Sequence, residues 1–313
     1  MNSSAAVKNT LKYLLLLGVG ILLLWLTFKG HDLRKILNDI YHAHPLYIFL
    51  SVLAGFIAFL LRAYRWNMLI EPLGYSPGFF NASYALGLGY FANLAIPRIG
   101  EITRCGILNR TDKIPMDKLI GTVITERVID LIMLFLSVAL AAAVQFNLMT
   151  GFLREKVFAG GNGGGRATIL ILAALAALFI TGAVFLFLSK NARAEKLREK
   201  IILLIRGVWA GLFSVAKVKS KGMFVLHTFV IWALYFLSTY LCFYALDATA
   251  HLGWKEGLFI LVAGGLGMSA PVQGGIGAYH YIVSQALILF GIAETDGITY
   301  ATLVHFYQML LII

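Results

Sequence analysis

Two short breaks rich in proline and glycine interrupt apolar stretches of this sequence: Ala95-Ile-Pro-Arg-Ile-Gly-Glu101 and Ser269-Ala-Pro-Val-Gln-Gly-Gly-Ile-Gly277. They lie at matching places in the two halves of the chain. A helix that is broken inside a membrane protein can offer backbone groups and charge to a substrate in the interior. The two breaks therefore indicate a membrane protein with a buried polar site.

The composition around the breaks is that of an integral membrane protein. Hydrophobic residues make up 60% of the 313 residues, charged residues make up 13%, and the mean hydropathy is +0.83. Such a chain cannot hide its apolar side chains in a water-soluble core. Because no polar stretch is long enough for a separate enzyme domain, we expect one transmembrane domain over residues 1–313, with half-repeats of about 1–150 and 151–313.

The net charge of +11 does not indicate a nucleic-acid partner, because the Lys and Arg residues lie in short connections between apolar segments. Cys105 and Cys242 lie in different segments without CxxC spacing, so we expect neither a disulfide framework nor a metal site. The sequence also lacks a Walker loop and an HExxH motif. We expect no cofactor and no nucleic acid.

Five apolar stretches of about 18 residues or more predict spanning helices, and a sixth starts near Ile298. The five are Leu11–Phe28, Leu46–Ala63, Leu119–Phe146, Ala167–Leu188 and Met223–Leu246. The first has no small-x-small cleavage site after it, so we interpret it as an uncleaved helix. The last reaches Ile313 after only 16 residues, which predicts a helix that is cut short.

Two further apolar regions, Phe79–Leu108 and Gly257–Gly291, contain the breaks. The two pieces of the second region hold 14 residues each, which is too short to cross about 30 Å of hydrocarbon. We therefore predict two re-entrant helical hairpins. The expected fold class is all-α: a polytopic membrane protein with about six spanning helices plus the two hairpins.

Charge in the connections predicts the orientation, because Lys and Arg in short loops stay cytoplasmic. The basic stretches Arg98–Lys118 and Lys190–Lys221 should lie inside, and the connection Asp247–Glu256, with one lysine, should lie outside. The N-terminus is then cytoplasmic, and the second half of the chain begins outside. This pattern predicts an inverted repeat whose hairpins meet near the midplane of the membrane.

The first break concentrates polar residues that are candidates for substrate binding. These are Asn93, Pro97, Arg98, Gly100, Glu101 and Arg104. Pro97 should end one helix, and the next should begin at about Gly100, so its free N–H groups and Arg98 can together receive a phosphate. The alternative is that the charged residues lie at the cytoplasmic surface beside the membrane.

Glu126, Arg127 and Asp130 lie within the predicted helix Leu119–Phe146. Ions inside a bilayer are costly, so these three must pair with each other, with the arginines of the first break, or with a lipid headgroup. An ion-pair network that locks this helix to the first hairpin is an equally good interpretation.

Arg62 and Arg65 lie beside aromatic residues at the end of the predicted helix Leu46–Ala63. We interpret them as an anchor that snorkels to the membrane interface. The alternative is a gate for anionic headgroups.

The second break lacks charge but is rich in glycine. Its candidate binding residues are Pro271, Gln273, Gly274, Gly275 and Gly277. Such backbone can form a nest for an anion, or it can pack closely on another helix, and both interpretations remain open. His280 and His305 can add hydrogen bonds, and we favour a packing role for them over a proton relay.

Four motifs in this order resemble the lysylphosphatidylglycerol synthase transmembrane region family, also described as flippase-like or UPF0104 proteins. The motifs are Arg62-x-x-Arg-Trp66, Asn93-x-x-x-Pro-Arg-x-Gly-Glu101 with Arg104, Glu126-Arg-x-x-Asp130 and Pro271-x-x-Gly-Gly-x-Gly277. The family includes the flippase domain of the bacterial multiple peptide resistance factor. The resemblance covers nearly the whole chain. Where other members usually have an acidic residue after the second glycine cluster, this chain has Tyr279 and His280.

The resemblance implies a multi-pass protein of the bacterial inner membrane that moves or handles a lipid, with the two breaks lining a central cavity. We expect a flippase that binds a phosphate-containing headgroup, in an anionic or aminoacylated phospholipid or an isoprenoid phosphate. The soluble aminoacyl-transferase domain of the family is absent, so we expect no enzyme activity. The main alternative is a non-catalytic membrane partner of a lipid synthase or glycosyltransferase. A weaker one is a lipid-modifying enzyme with Glu126 and Asp130 as acid and base.

Overall fold

The computed structural model describes residues 3–145, 195, 198, 199 and 215–311. Throughout these residues the regular structure is helical, which confirms the all-α class. The helices are α1 Ser3–Phe28, α2 Leu33–Tyr41, α3 Pro45–Ile70, α4 Phe79–Ala95, α5 Gly100–Thr111, α6 Met116–Val144, α7 Lys221–Leu241, α8 Trp254–Ser269, α9 Ala278–Ile288 and α10 Glu294–Leu310. Short 3-10 turns follow α3, α7 and α8 at Glu71–Leu73, Cys242–Ala245 and Gln273–Gly275.

Local sequence explains where several helices begin. Asp32 precedes α2 and its carboxylate accepts the Arg34 N–H at 2.8 Å, so it satisfies one free donor of the first turn. Pro45 occupies the first position of α3, where its missing N–H costs nothing. Glu256 in the first turn of α8 accepts the Gly253 N–H at 2.9 Å.

Three helices in the described part of the chain are long and apolar enough to cross a membrane. They run over Pro45–Leu73, Met116–Val144 and Lys221–Ala245 when the flanking turns are included. Leu15–Phe28 of α1 and Leu33–Tyr41 are bent by 89° and add a fourth span only if the bent pair crosses the membrane as one. The three long helices match the predicted stretches Leu46–Ala63, Leu119–Phe146 and Met223–Leu246, and Leu11–Phe28 lies within α1. Ala167–Leu188 lies outside the described residues, and the total of six stays a prediction.

Each break produces a pair of short helices packed side by side, as predicted for a hairpin. The first pair is α4 and α5, and the second is α8 and α9. A Cβ on Gly100 would collide with the backbone carbonyl of Gly89, and one on Gly267 would lie 2.8 Å from the Cα of Tyr279. Glycine is therefore required where the two arms of each hairpin touch.

The order of helix, hairpin and helix occurs twice among the described residues: α3, α4 with α5, α6, and then α7, α8 with α9, α10. α3 packs along α7, α6 packs on α5 and α8, and α9 packs on α10. The two breaks meet, since a Cβ on Gly274 would lie 3.0 Å from Leu94 Cδ2 at the end of α4. The inverted relation of the two halves stays a prediction.

The two hairpins are supported by separate hydrophobic cores. The first core includes Trp66, Leu86, Leu108 and Leu119, and it holds the first hairpin against α3 and α6. The second includes Phe243, Ile260, Val283, Tyr300 and Leu303, and it lies between the second hairpin, α10 and the end of α7. The first core forms one wall of the polar site.

Candidate functional site

A group of buried charges lies where α3, α5 and α6 come together. We call it the arginine cluster, and its members are Arg62 and Arg65 of α3, Arg104 of α5, and Glu126 and Asp130 of α6. The spacings of three and four residues place each helix's contribution on one face. The cluster therefore depends on the packing of the first hairpin between two long helices.

The two carboxylates together accept hydrogen bonds from all three guanidinium groups. Glu126 accepts hydrogen bonds from Arg62 Nη2 and from Arg104 Nη1, the latter at 2.8 Å. Asp130 accepts from Arg65 Nη2 at 2.7 Å and from Arg62 Nη2 at 3.2 Å. The Glu126 side chain is 1% exposed and the Asp130 side chain 17%, so Asp130 lies at the more open side of the cluster.

The cluster carries one excess positive charge, because three guanidinium groups face two carboxylates. Four of the buried guanidinium nitrogens have no hydrogen-bond partner within the described residues. They are Nε of Arg62, Nε of Arg65, and Nε and Nη2 of Arg104. A buried donor without an acceptor is costly, and more so when it is charged. An anion with several acceptor oxygens would supply both the missing charge and the missing acceptors.

Neighbouring side chains hold the arginines in place. Trp66 donates its indole N–H to Thr122 Oγ1 at 2.9 Å, and the Arg104 guanidinium lies over the Trp66 ring, 4.6 Å from its centroid. Arg62 donates to the Tyr235 hydroxyl at 3.2 Å, which links the cluster to α7. The guanidinium groups are thus oriented before any ligand arrives.

A second ion pair leads from the surface toward the cluster. Arg127 Nε lies 2.8 Å from Glu101 Oε1, and the two side chains are 44% and 37% exposed. Arg127 Nη1 also lies 3.9 Å from Asp130 Oδ2. Glu101 and Arg127 therefore form the exposed end of a chain of charges that ends at the buried Glu126.

The structure separates the other first-break candidates from the cluster. Arg98 is exposed, with a left-handed φ of 64°, and has no ion-pair or hydrogen-bond partner among the residues described. Asn93 Oδ1 accepts the Gly100 N–H at 2.7 Å, so Asn93 satisfies the start of α5. Pro97 lies in the turn between the two helices, as predicted. Of the binding candidates in the first break, only Arg104 belongs to the cluster.

The second break is packed against other helices. A Cβ on Gly277 would collide with the carbonyl of Gly20 in α1, and one on Gly275 would lie 2.7 Å from Met268 Sδ. Gln273 is buried, and Pro271 is exposed. These contacts favour the packing interpretation of the glycines, and they do not bring the second break to the arginine cluster.

The interpretation of Arg62 and Arg65 as an interfacial anchor is wrong. Both side chains are buried, and both pair with Asp130. Two signals in the sequence could have shown this. Two acidic residues inside one span need cationic partners, and the spacing of Arg62, Arg65 and Trp66 places the three on one helix face. Among the described residues, no group of histidine, cysteine or acidic side chains is arranged to hold a metal ion.

These features define a multi-pass α-helical membrane protein with a buried, positively charged polar site between its first hairpin and two long helices. The chain belongs to the family described as "Lysylphosphatidylglycerol synthase TM region", whose model matches residues 13–313. This confirms the resemblance inferred from the sequence.

Two relatives are named UPF0104 membrane proteins, and both come from archaea. The protein of Methanocaldococcus jannaschii is 29% identical over 149 residues, which cover 46% of this chain and 42% of that protein. The chain thus matches less than half the length of this relative. The protein of Methanothermobacter thermautotrophicus is 26% identical over 264 residues, 77% of this chain and 75% of that protein. No solved structure matches the chain.

Proposed function

We propose that the protein binds a lipid with a phosphate-containing headgroup at the arginine cluster and transfers it between the two leaflets of the membrane. The observation that carries the proposal is the excess buried positive charge with four unsatisfied guanidinium N–H groups. Phosphate oxygens match the fork of N–H donors on arginine. The family's description, which names a lipid synthase, supports a role with lipids.

Asp130 is the partner that the phosphate replaces in this proposal. It shares its carboxylate among Arg62, Arg65 and Arg127 and is more exposed than Glu126. A phosphate that arrives from the side of Arg127 meets Asp130 first and takes over its hydrogen bonds. Glu126 then keeps Arg62 and Arg104 in position.

We further propose that the lipid is moved without covalent change, so that the protein is a transporter and not an enzyme, with no resident cofactor. The inverted repeat belongs to this proposal, since hairpins from opposite leaflets allow the site to open to either side. We also propose a location in the bacterial inner membrane with a cytoplasmic N-terminus, which the basic connections favour.

Reconstitution into liposomes that contain fluorescent phosphatidylglycerol tests the proposal. We expect the wild-type protein to transfer the lipid faster than protein-free vesicles do. Arg104→Gln should slow transfer about tenfold or more, because a charged hydrogen bond contributes about 1.5–3 kcal/mol. Arg110→Gln is the matched control, since Arg110 lies on the same helix and is exposed.

Equal rates in the wild type and in Arg104→Gln would contradict the proposed site. No transfer by a well-folded wild-type protein, combined with a membrane enzyme that stays bound through purification, would instead support the role of a non-catalytic partner. Monodisperse elution of each variant from a sizing column separates a lost site from a lost fold.

A further inference from the structure

A second buried polar group lies beside the second break and has no part in the proposed lipid site. His280 of α9 and His305 of α10 are both buried, and their rings meet edge to face with centroids 4.8 Å apart. The Tyr279 ring stacks on His305 with a centroid distance of 5.2 Å. Ionisable side chains buried inside a membrane protein are rare and often functional.

His305 ties α10 to the second break. Its Nε2 lies 2.8 Å from the Gly274 carbonyl, and because a carbonyl only accepts, Nε2 carries the hydrogen. Gly274 is also the residue that packs on Leu94 at the end of α4. This hydrogen bond therefore links α10 to the part of the second break that touches the first hairpin.

The surroundings of the pair provide no counter-ion. The titratable side chains near it are Tyr279, Tyr300 and Cys242, which are uncharged at neutral pH. α1 contributes the Phe28 ring, 6.0 Å from His280, and the adjacent Lys29 lies over Trp25. The break contributes the Gly274 carbonyl, which accepts from His305. No acidic or basic side chain in the described ranges pairs with either imidazole.

His280 Nδ1 is buried and has no hydrogen-bond partner within the described residues. A second proton on the His280 ring would create an imidazolium without a counter-ion in an apolar setting, which is strongly unfavourable. The packed arrangement therefore opposes protonation of the pair. Protonation becomes favourable in an arrangement in which water reaches the two rings. Proton binding and separation of the packed elements are thus linked.

We infer that His280 and His305 form a proton-binding site whose occupation releases the second break from the first hairpin. Because the packed state excludes the charge, neutral pH favours the packed state and acidic pH favours the open state. For the proposed transport, a proton gradient would then bias which side of the protein opens.

Distance measurement between two spin labels tests this inference without any assay of transport. In a background with both native cysteines replaced, labels are placed at the exposed positions Phe91 on α4 and Ile276 in the second break. We expect one distance at pH of about 7.5 and an additional, longer distance at pH of about 5. His280→Gln removes the ionisable ring and leaves the bond between His305 and Gly274 in place, so it should abolish the longer distance.

Two further variants make the result decisive. His280→Phe keeps an aromatic ring and removes the nitrogens, so it serves where glutamine disturbs the fold. His227→Gln is the control, since the half-buried His227 ring lies on α7 against Tyr64 and not in the pair. A distance that does not change with pH in the wild type, or a pH response that persists in both His280 variants, overturns the inference. Because the readout is a distance, failure of lipid transfer alone counts against the proposed function and not against the proton site.

Discussion

Removal of the charge on Glu126 should be the most damaging single change in the arginine cluster. Glu126 accepts from Arg62 and from Arg104, and its Oε1 lies 3.9 Å from Arg65 Nη2. Glu126→Gln keeps the size of the side chain but leaves three buried guanidinium groups facing Asp130 alone. The excess buried charge rises from one to two.

The expected magnitude follows from burial. Loss of one partner from a buried ion pair costs about 3–5 kcal/mol, because the other charge stays buried without compensation. Arg104→Gln should cost less, about 1–3 kcal/mol, because it leaves two guanidinium groups facing two carboxylates. The exposed pair of Glu101 and Arg127 provides the control, and Glu101→Gln should cost less than about 1 kcal/mol.

Unfolding in mixed micelles with increasing SDS measures these free energies. The double variant Glu126→Gln with Arg104→Gln completes a cycle, and we expect a coupling of about 1–3 kcal/mol between the two positions. The reasoning would be refuted by a Glu126→Gln protein within about 1 kcal/mol of the wild type. It would also be refuted by a Glu101→Gln protein that is equally destabilised.

Three other predictions concern the hairpins and the release of the ligand. Gly100→Ala should destabilise the protein by about 1–3 kcal/mol or more in the same unfolding assay, since the new Cβ meets the backbone of α4. Gly106→Ala in the same helix is the control: its Cβ meets open space, so the change should be neutral or stabilising. Gly277→Ala should be worse than Gly291→Ala, because both have a φ of 80° but only Gly277 touches another helix; thermal unfolding compares them. Asp130→Asn should bind phosphatidylglycerol about tenfold more tightly and release it more slowly, as measured by lipid-binding titration and single-turnover transfer; weaker binding would show that Asp130 supports the site instead of competing for it.

The hairpins were predictable because their signals are local. A proline and several glycines within a few residues end one helix and allow the next to return, whatever surrounds them. In the second region the two pieces of 14 residues then predict a re-entrant hairpin instead of two full spans. The contact between the two breaks, through Leu94 and Gly274, could only be expected in outline, because it depends on how the halves pack.

The composition of the site was predicted in part. Glu126, Asp130 and Arg104 were candidates because charges within apolar stretches are costly, and the structure brings the three together with Arg62 and Arg65. Sequence could not show the direction in which an arginine near a helix end points, since a long side chain can reach either the interface or a buried carboxylate. Arg98 shows the opposite error. It was a candidate phosphate ligand, but it lies in the turn between α4 and α5, where its side chain is exposed.

Competition between a lipid that has a phosphate-containing headgroup and one that lacks it examines the anion site itself. The purified protein is mixed with equal amounts of phosphatidylglycerol and of diacylglycerol with the same acyl chains, and native mass spectrometry measures the lipid that each protein molecule retains. We predict that the wild type retains the phosphate-bearing lipid at least about tenfold better, and that Arg104→Gln loses this preference while Arg110→Gln keeps it. Equal retention of the two lipids by the wild type, or an unchanged preference in Arg104→Gln, would contradict the existence of a phosphate site at the arginine cluster.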